Sequence, residues 1–173
     1  METLSIREAV KEDSHNISVV HVRTWQEAYK GIIPDSYLNS LSVEGRTQKW
    51  IEMFDKPSPN QKIWVAQKDD KIVGFSVIGT SRDKDTTPKT GELFSVYVDP
   101  DHMRQGIGTA LMRKAIEGLK EAGFTRATLW TLEDNSNTRK FYEAMGWTFD
   151  GTKKTEVKKG VELKQVRYSI NLL

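Results

Sequence analysis

A buried strand that runs into a tight loop with two closely spaced glycines, and then into an amphipathic helix, constrains this chain more than any other feature. Residues Val96-Tyr-Val-Asp-Pro-Asp-His-Met-Arg-Gln-Gly-Ile-Gly-Thr-Ala-Leu carry it. Pro100 ends the strand, because proline cannot continue a central ladder. From Gly106 the period turns helical, with Ile107, Leu111 and Ala115 on one face, Met112, Ile116 and Leu119 beside it, and Gly123 as the stop. Loop amides that open onto a helix N-terminus offer several N–H groups and about half a positive charge to an anion. Glycines let a phosphate approach the backbone, so a diphosphate is the natural guest. The other reading of the same residues is a turn whose glycines only permit positive φ. Between Met103 and Thr109 there is neither a Gly-Lys-Ser/Thr sequence nor a third glycine, which disfavours a Walker loop and a Rossmann fingerprint, and with them ATP and NAD.

At 173 residues the chain has length for one core of ordinary size, a single domain over 1–173. Leu4 and Ile6 alternate with polar neighbours and predict a strand. A helix capped near Asp13 or Ser14 follows, running to about Tyr29 with Ile17, Val20, Trp25 and Ala28 near helical spacing. Lys30-Gly-Ile-Ile-Pro34 stops it and opens a short helix, and Ser42 caps a third that carries Trp50, Met53 and Phe54. After Pro57-Ser-Pro-Asn the period changes to strands at Ile63–Ala66 and Ile72–Ile78, joined by an Asp69-Asp70 turn. The polar stretch Thr80–Thr90 reads as a solvated connection before a strand over Leu93–Val98. Ala127–Leu132 reads as a buried strand, Asn135–Met145 as a helix closed by Gly146, and the tail as two strands around Trp147–Phe149 and Leu163–Ile170. Strand–helix alternation in the second half requires an α/β fold with some parallel pairing.

Composition removes whole classes of function. With 26 Lys+Arg against 24 Asp+Glu the net charge is +2, far short of a nucleic-acid footprint. The absence of cysteine excludes disulfides, thiolate-held metals and a sulfur nucleophile. His15, His21 and His102 show no metal-ligand spacing, so no metal is expected. No segment approaches the ~20 apolar residues of a membrane span, and the N-terminus shows no targeting pattern. A cytoplasmic protein with neither nucleic-acid nor membrane partners is the expectation.

Tyr97-Val98-Asp99-Pro100, Arg104-Gln-Gly-Ile-Gly-Thr109, and Asn135-x6-Tyr142-x3-Gly146 with its run Phe141-Tyr-Glu-Ala-Met-Gly-Trp stand in a distinctive order and spacing. In these the chain resembles the GNAT superfamily of acyl-CoA-dependent N-acyltransferases, over most of its length. Trp25-Gln-Glu-Ala-Tyr-Lys-Gly-Ile-Ile-Pro is similar to a bacterial subgroup of small-molecule acetyltransferases. The resemblance implies a mixed, mostly antiparallel central sheet with a parallel pair splayed around the cofactor and helices on both faces. It implies acetyl-CoA as co-substrate, with Val96 and Val98 on a bulged strand presenting backbone groups to the pantetheine arm. Met103, Arg104, Gln105, Gly106, Ile107, Gly108 and Thr109 would then cradle the pyrophosphate. Met103 stands where the family usually has Arg or Gln, which weakens side-chain assistance and leaves the backbone cradle. Asn135 is implied at the cofactor or substrate, or is a plain helix cap. Asn137 is a further cofactor candidate, and Arg139 is expected to face a CoA phosphate. Tyr142 resembles the family tyrosine aimed at the CoA sulfur, a general acid for the leaving thiolate, or else a core aromatic beside Phe141.

Acetyl transfer to nitrogen needs a neutral amine, a site for the developing oxyanion and a proton for the thiolate. At neutral pH only about one alkylamine in a thousand is uncharged, so the protein must help. Glu92, on the strand face shared by Phe94 and Val96 at period two, is the candidate base, directly or through water; the alternative is an exposed glutamate at a strand start. Trp25 and Tyr29, at i and i+4, share one helical face and are either acceptor-pocket or core aromatics. Glu27 and Asp35 either attract a cationic amine or are ordinary isolated surface carboxylates. The expected activity is N-acetylation of a small-molecule or peptide primary amine by direct attack on the thioester, without a covalent enzyme intermediate. The alternative is a non-catalytic acyl-CoA-binding sensor or regulatory module; O-transfer would need a stronger base, and no histidine is placed for one. Similar proteins suggest a homodimer paired through the late strands.

Overall fold

Alternation along one strand sets the layers. In the computed structural model, which describes residues 3–173, β2 (Lys62–Lys68) sits between β1 (Leu4–Glu8) and β3 (Lys71–Thr80). Ile63 and Val65 face Ile17 and Val20 of α1 (Ser14–Ala28) and Trp50 of α3 (Val43–Asp55). Trp64, one step out of phase, packs on the opposite face with Met112, Ala115 and Leu119 of α4 (Ile107–Glu121). That approach is close enough that a Cβ on Gly118 would collide with the Trp64 ring. Ser42 caps α3 by accepting from the Gly45 amide at 3.1 Å. Asp13 precedes α1 but its side chain does not cap it; it accepts instead from Arg7 at 2.8 and 3.0 Å and from the Val10 amide at 2.8 Å.

Between α1 and α3 lies the short α2 (Asp35–Asn39). The remaining elements are β4 (Thr90–Val98), β5 (Arg126–Leu132), α5 (Ser136–Ala144), β6 (Thr148–Lys158) and β7 (Val161–Asn171). The seven strands form one sheet in the order β1-β2-β3-β4-β5-β7-β6. Every neighbouring pair is antiparallel except β4 with β5, which run parallel. This is the mixed sheet with helices on both faces that the sequence implied.

The parallel pair is short. It joins Thr90 to Arg126, Gly91 to Ala127 and Glu92 to Thr128, and pairing ends there. On its other side, β4 passes from Ile78↔Leu93 to Val77↔Ser95, so Phe94 is an extra, unpaired residue. A bulge of this kind bends its strand and increases the local twist. From there the second half of β4 leaves β5, and the wedge between them positions the site.

One expectation is corrected. Residues 81–89 form no regular element but are not merely a solvated connection. Arg167 of β7, almost wholly buried, donates to Asp85 at 2.7 and 2.8 Å, to Asp83 at 3.3 Å and to Asp150 at 2.7 Å. Asp83 also accepts from the Trp130 indole at 3.1 Å. The polar residues looked solvated because their partner lies some eighty positions away in sequence. Hydrogen bonds to Asp85, with Asp150 beside it, hold the Arg167 guanidinium pKa above its ordinary value.

Candidate active site

The loop after β4 is held from beneath. Asp99 accepts from Arg23 Nε at 2.8 Å on Oδ1, and its Oδ2 accepts from the Asp101 amide at 3.3 Å and lies 3.0 Å from His102 Nδ1. Burial alone would raise the Asp99 carboxyl, yet the bonds to His102 and Arg23 keep it below the usual carboxylate range. Past that anchor Arg104 and Gly106 both adopt positive φ, 61° and 79°. At Gly106 this left-handed geometry turns the chain directly into α4, and no side chain caps the helix. The first intrahelical bond runs from the Ala110 amide to the Gly106 carbonyl at 3.0 Å, leaving the preceding amides without helical partners.

Those amides border a cavity of about 400 Å³ in the wedge between β4 and β5. Val96 and Val98 line it from the strand, and Met103, Arg104, Gly106, Ile107, Gly108 and Thr109 from the loop and α4. A Cβ on Gly108 would meet Phe141 and Val98 only at ordinary contact distances of 3.5 and 3.6 Å, so the protein's own packing does not demand glycine there. A cradle kept free of side chains fits an anionic, phosphate-bearing guest. Met103 is exposed at the rim, in keeping with a cradle made of backbone.

Asn135, Asn137 and Tyr142 come to the same cavity from β5 and α5. Asn135 is at once the cap of α5, accepting from the Thr138 amide at 3.3 Å, and part of the wall, so the two readings of it coexist. Tyr142 is buried, and burial pushes its phenol well above the ordinary value. It stays protonated at any working pH, and its hydroxyl has no hydrogen-bond partner among the described residues. Tyr29 closes the wall, its phenol also raised, chiefly by burial.

Three expected residues stand elsewhere. Glu92 was expected at period two beside Val96; the bulge at Phe94 breaks that period. Its carboxylate is buried, accepts from the Arg82 amide at 3.0 Å and Arg82 Nη2 at 2.9 Å, and lies outside the cavity wall. Arg139 does not line this cavity. It donates to the Tyr168 hydroxyl at 2.9 Å and the Glu133 carbonyl at 3.0 Å, beneath α5. Gln105 belongs to the loop, but its side chain accepts from Lys68 at 2.7 Å and is not on the wall.

A second cavity of about 290 Å³ adjoins the first, and Phe94, Ser95 and Tyr97 line both. Its other walls come from α1, α2 and Leu41 after it, α3, Val77 of β3, the loop before β4 and the end of β6. Trp25 and Tyr29, expected on one substrate face, stack edge to face at 4.7 Å and divide the two spaces: Trp25 lines the second and Tyr29 the first. The Trp25 indole donates to the Tyr97 hydroxyl at 3.1 Å. Apart from Trp25, sequence reasoning missed this second wall. Only Arg46 and Lys49, three apart on α3, carried a signal, since that spacing puts them on one helical face. Among the described residues no three His, Asp or Glu side chains converge as a metal site, and no helix is long and apolar enough to cross a membrane.

The profile of the Acetyltransferase (GNAT) family matches residues 22–147. The chain is 35% identical over 165 residues to the uncharacterised N-acetyltransferase YuaI of Bacillus subtilis, covering 94% of this chain and 90% of that one. An uncharacterised N-acetyltransferase of Archaeoglobus fulgidus is 31% identical over 140 residues, 80% of this chain and 89% of its own. Among solved structures, the PaiA N-acetyltransferase of Thermoplasma acidophilum in complex with coenzyme A superposes with a TM-score of 0.72 at 21% identity, covering 98% of this chain and 99% of that one. YncA of Salmonella typhimurium, solved with acetyl-CoA, gives 0.73 at 19% identity over 99% and 95%. At such identities the structural likeness speaks for the fold.

Proposed function

This chain belongs to the GNAT acetyltransferase family, and from that premise we propose that it is an acetyl-CoA-dependent N-acetyltransferase whose acceptor is a primary amine. One observation carries the reading: an uncapped helix N-terminus and a partnerless, protonated phenol open into the same cavity. Acetyl-CoA supplies an activated acetyl thioester. The amides of Ile107, Gly108 and Thr109 hold its diphosphate, with the Arg104 charge at the rim, while Val96 and Val98 offer backbone groups to the pantetheine arm. Asn135 and Asn137 add polar contacts from the other wall.

The acceptor nitrogen attacks the thioester carbonyl carbon from the Phe94–Ser95–Tyr97 side, where the two cavities meet. Tyr142 donates its proton to sulfur as the C–S bond breaks and recovers one from the nitrogen through water, so neutral amine and thioester become amide and thiol. An ammonium must first lose a proton. Glu27, the only carboxylate on the first cavity's wall among the described residues, or solvent takes it; Glu92, bound to Arg82 outside that wall, does not. The same reading keeps the protein in the cytoplasm and pairs it through β6, a free sheet edge, with elution as a monomer removing that pairing.

A non-catalytic acyl-CoA sensor would have no use for a phenol held free of protein partners at the cavity. Tyr142→Phe is expected to lower kcat about a hundredfold while coenzyme A affinity, measured by calorimetry, stays put. Undiminished turnover would take Tyr142 out of the mechanism.

A further inference from the structure

The second cavity has a chemistry that the acetyl donor does not explain. It shares no residue with the Met103–Thr109 loop, so the diphosphate cradle does not reach it. Its wall carries Arg46, Lys49, Arg82 and Lys158 and not one carboxylate. Two of these cations are partly offset: Arg82 pairs with Glu92 at 2.9 Å, and Lys158 lies 3.8 Å from Glu156. Arg46 and Lys49 have no side-chain hydrogen bond or ion pair among the described residues. Aromatic rings of Trp25, Tyr37, Trp50, Phe94 and Tyr97 and the aliphatic side chains of Leu41, Met53 and Val77 make up most of the rest.

Resting on the acetyltransferase reading above, we propose that the acceptor is an amine that also carries an anionic oxyacid, a carboxylate or a phosphonate, and that Arg46 and Lys49 bind that acid while the amine points to Ser95. Two uncompensated cations beside a cavity with an aromatic floor favour a ligand that is anionic at one end and apolar in its body. The same charges repel a purely cationic acceptor such as a polyamine. They also favour the uncharged amine over the ammonium, because nearby positive charge lowers an amine's pKa. His21, on this wall, registers that field: burial first, and then the charges of Arg46, Lys158 and Lys49, hold its imidazole neutral down to about pH 3. The carboxylates at Glu27 and Asp35, which the sequence offered as lures for a cation, line no part of this cavity.

The test uses the full chain with common amino acids and 2-aminoethylphosphonate, each against its methyl or dimethyl ester. Binding is measured by calorimetry with coenzyme A present, and turnover by thiol release. At least one acid is expected to bind about tenfold more tightly than its ester and to show the higher kcat/KM. In Arg46→Gln/Lys49→Gln that acid-over-ester ratio should fall about tenfold, and Arg46→Lys should restore part of it. Esters bound as well as acids throughout, or a ratio unmoved in the double variant, would overturn the proposal. Should the unmodified protein fail to bind coenzyme A, the acetyltransferase reading itself would fall, a result visible before any acceptor is added.

Discussion

The two cavities that meet at Phe94, Ser95 and Tyr97 are made of different material. The first is lined at its anion end by main-chain amides set by the positive φ of Arg104 and Gly106. The second is lined by long charged side chains and aromatic rings from six separate stretches of chain. A backbone cradle depends on local conformation and tolerates almost any neighbouring side chain, as Met103 illustrates. A side-chain pocket depends on which residues tertiary packing gathers.

The largest expected effect separating the two cavities belongs to Gly108→Asp. Aspartate in the first turn suits a helix N-terminus and the space admits its Cβ, so the protein should fold as well as before. Yet the added carboxylate would face the diphosphate, and coenzyme A affinity should drop on the order of a thousandfold, about 4 kcal/mol. Calorimetry with coenzyme A decides it; full affinity would move the donor elsewhere.

Arg167→Met addresses the second cavity instead. It strands the half-buried carboxylates of Asp83 and Asp150 and releases the loop that carries Arg82, for an expected loss of about 3 kcal/mol in urea unfolding. Acceptor KM should rise more than the coenzyme A Kd. Equal changes in both would mean the two cavities do not move independently.

Glu92→Gln removes a buried charge that bonds Arg82, with an expected cost of about 1–2 kcal/mol in chemical denaturation. The pH–rate profile should keep its shape. A profile that loses its acid limb in this variant would return Glu92 to the role of base.

At neutral pH the smallest effect belongs to His21, whose contribution changes only as the solution is acidified. Folded, its imidazole takes a proton only near pH 3, whereas the unfolded chain takes one near the ordinary 6.5. Between those values the unfolded state binds the extra proton, so His21's share of stability is full above about pH 6.5 and declines as pH falls toward 3. Melting temperatures of His21→Leu should therefore depend less on pH across that window than those of the parent protein.

Much of the donor cavity was readable in advance because its signals are local. Pro100 ends a strand, Gly106 permits the left-handed turn, and the period of Ile107, Leu111 and Ala115 starts a helix, all within sixteen residues of one another. The period of two that puts Glu92 beside Val96 fails because one unpaired residue, Phe94, inverts the facing of the strand on either side of it, and nothing in the residues themselves places that bulge at Phe94. Arg139 was misread because an arginine beside a cofactor and one tucked onto Tyr168 share the same neighbours in sequence.

By itself, then, the amino-acid order determined the alternation of elements, the strand–glycine–helix cradle and the family it belongs to, since each follows from dihedral preferences and periodicities that act over a few residues. Tertiary structure alone decided which charges share a wall. Arg46, Arg82 and Lys158 are brought together by sheet order and helix packing, and Arg167 finds Asp83 and Asp85 only once β7 lies beside β5. Coulomb attraction and desolvation act on distance in space, which a linear chain does not reveal until it has folded.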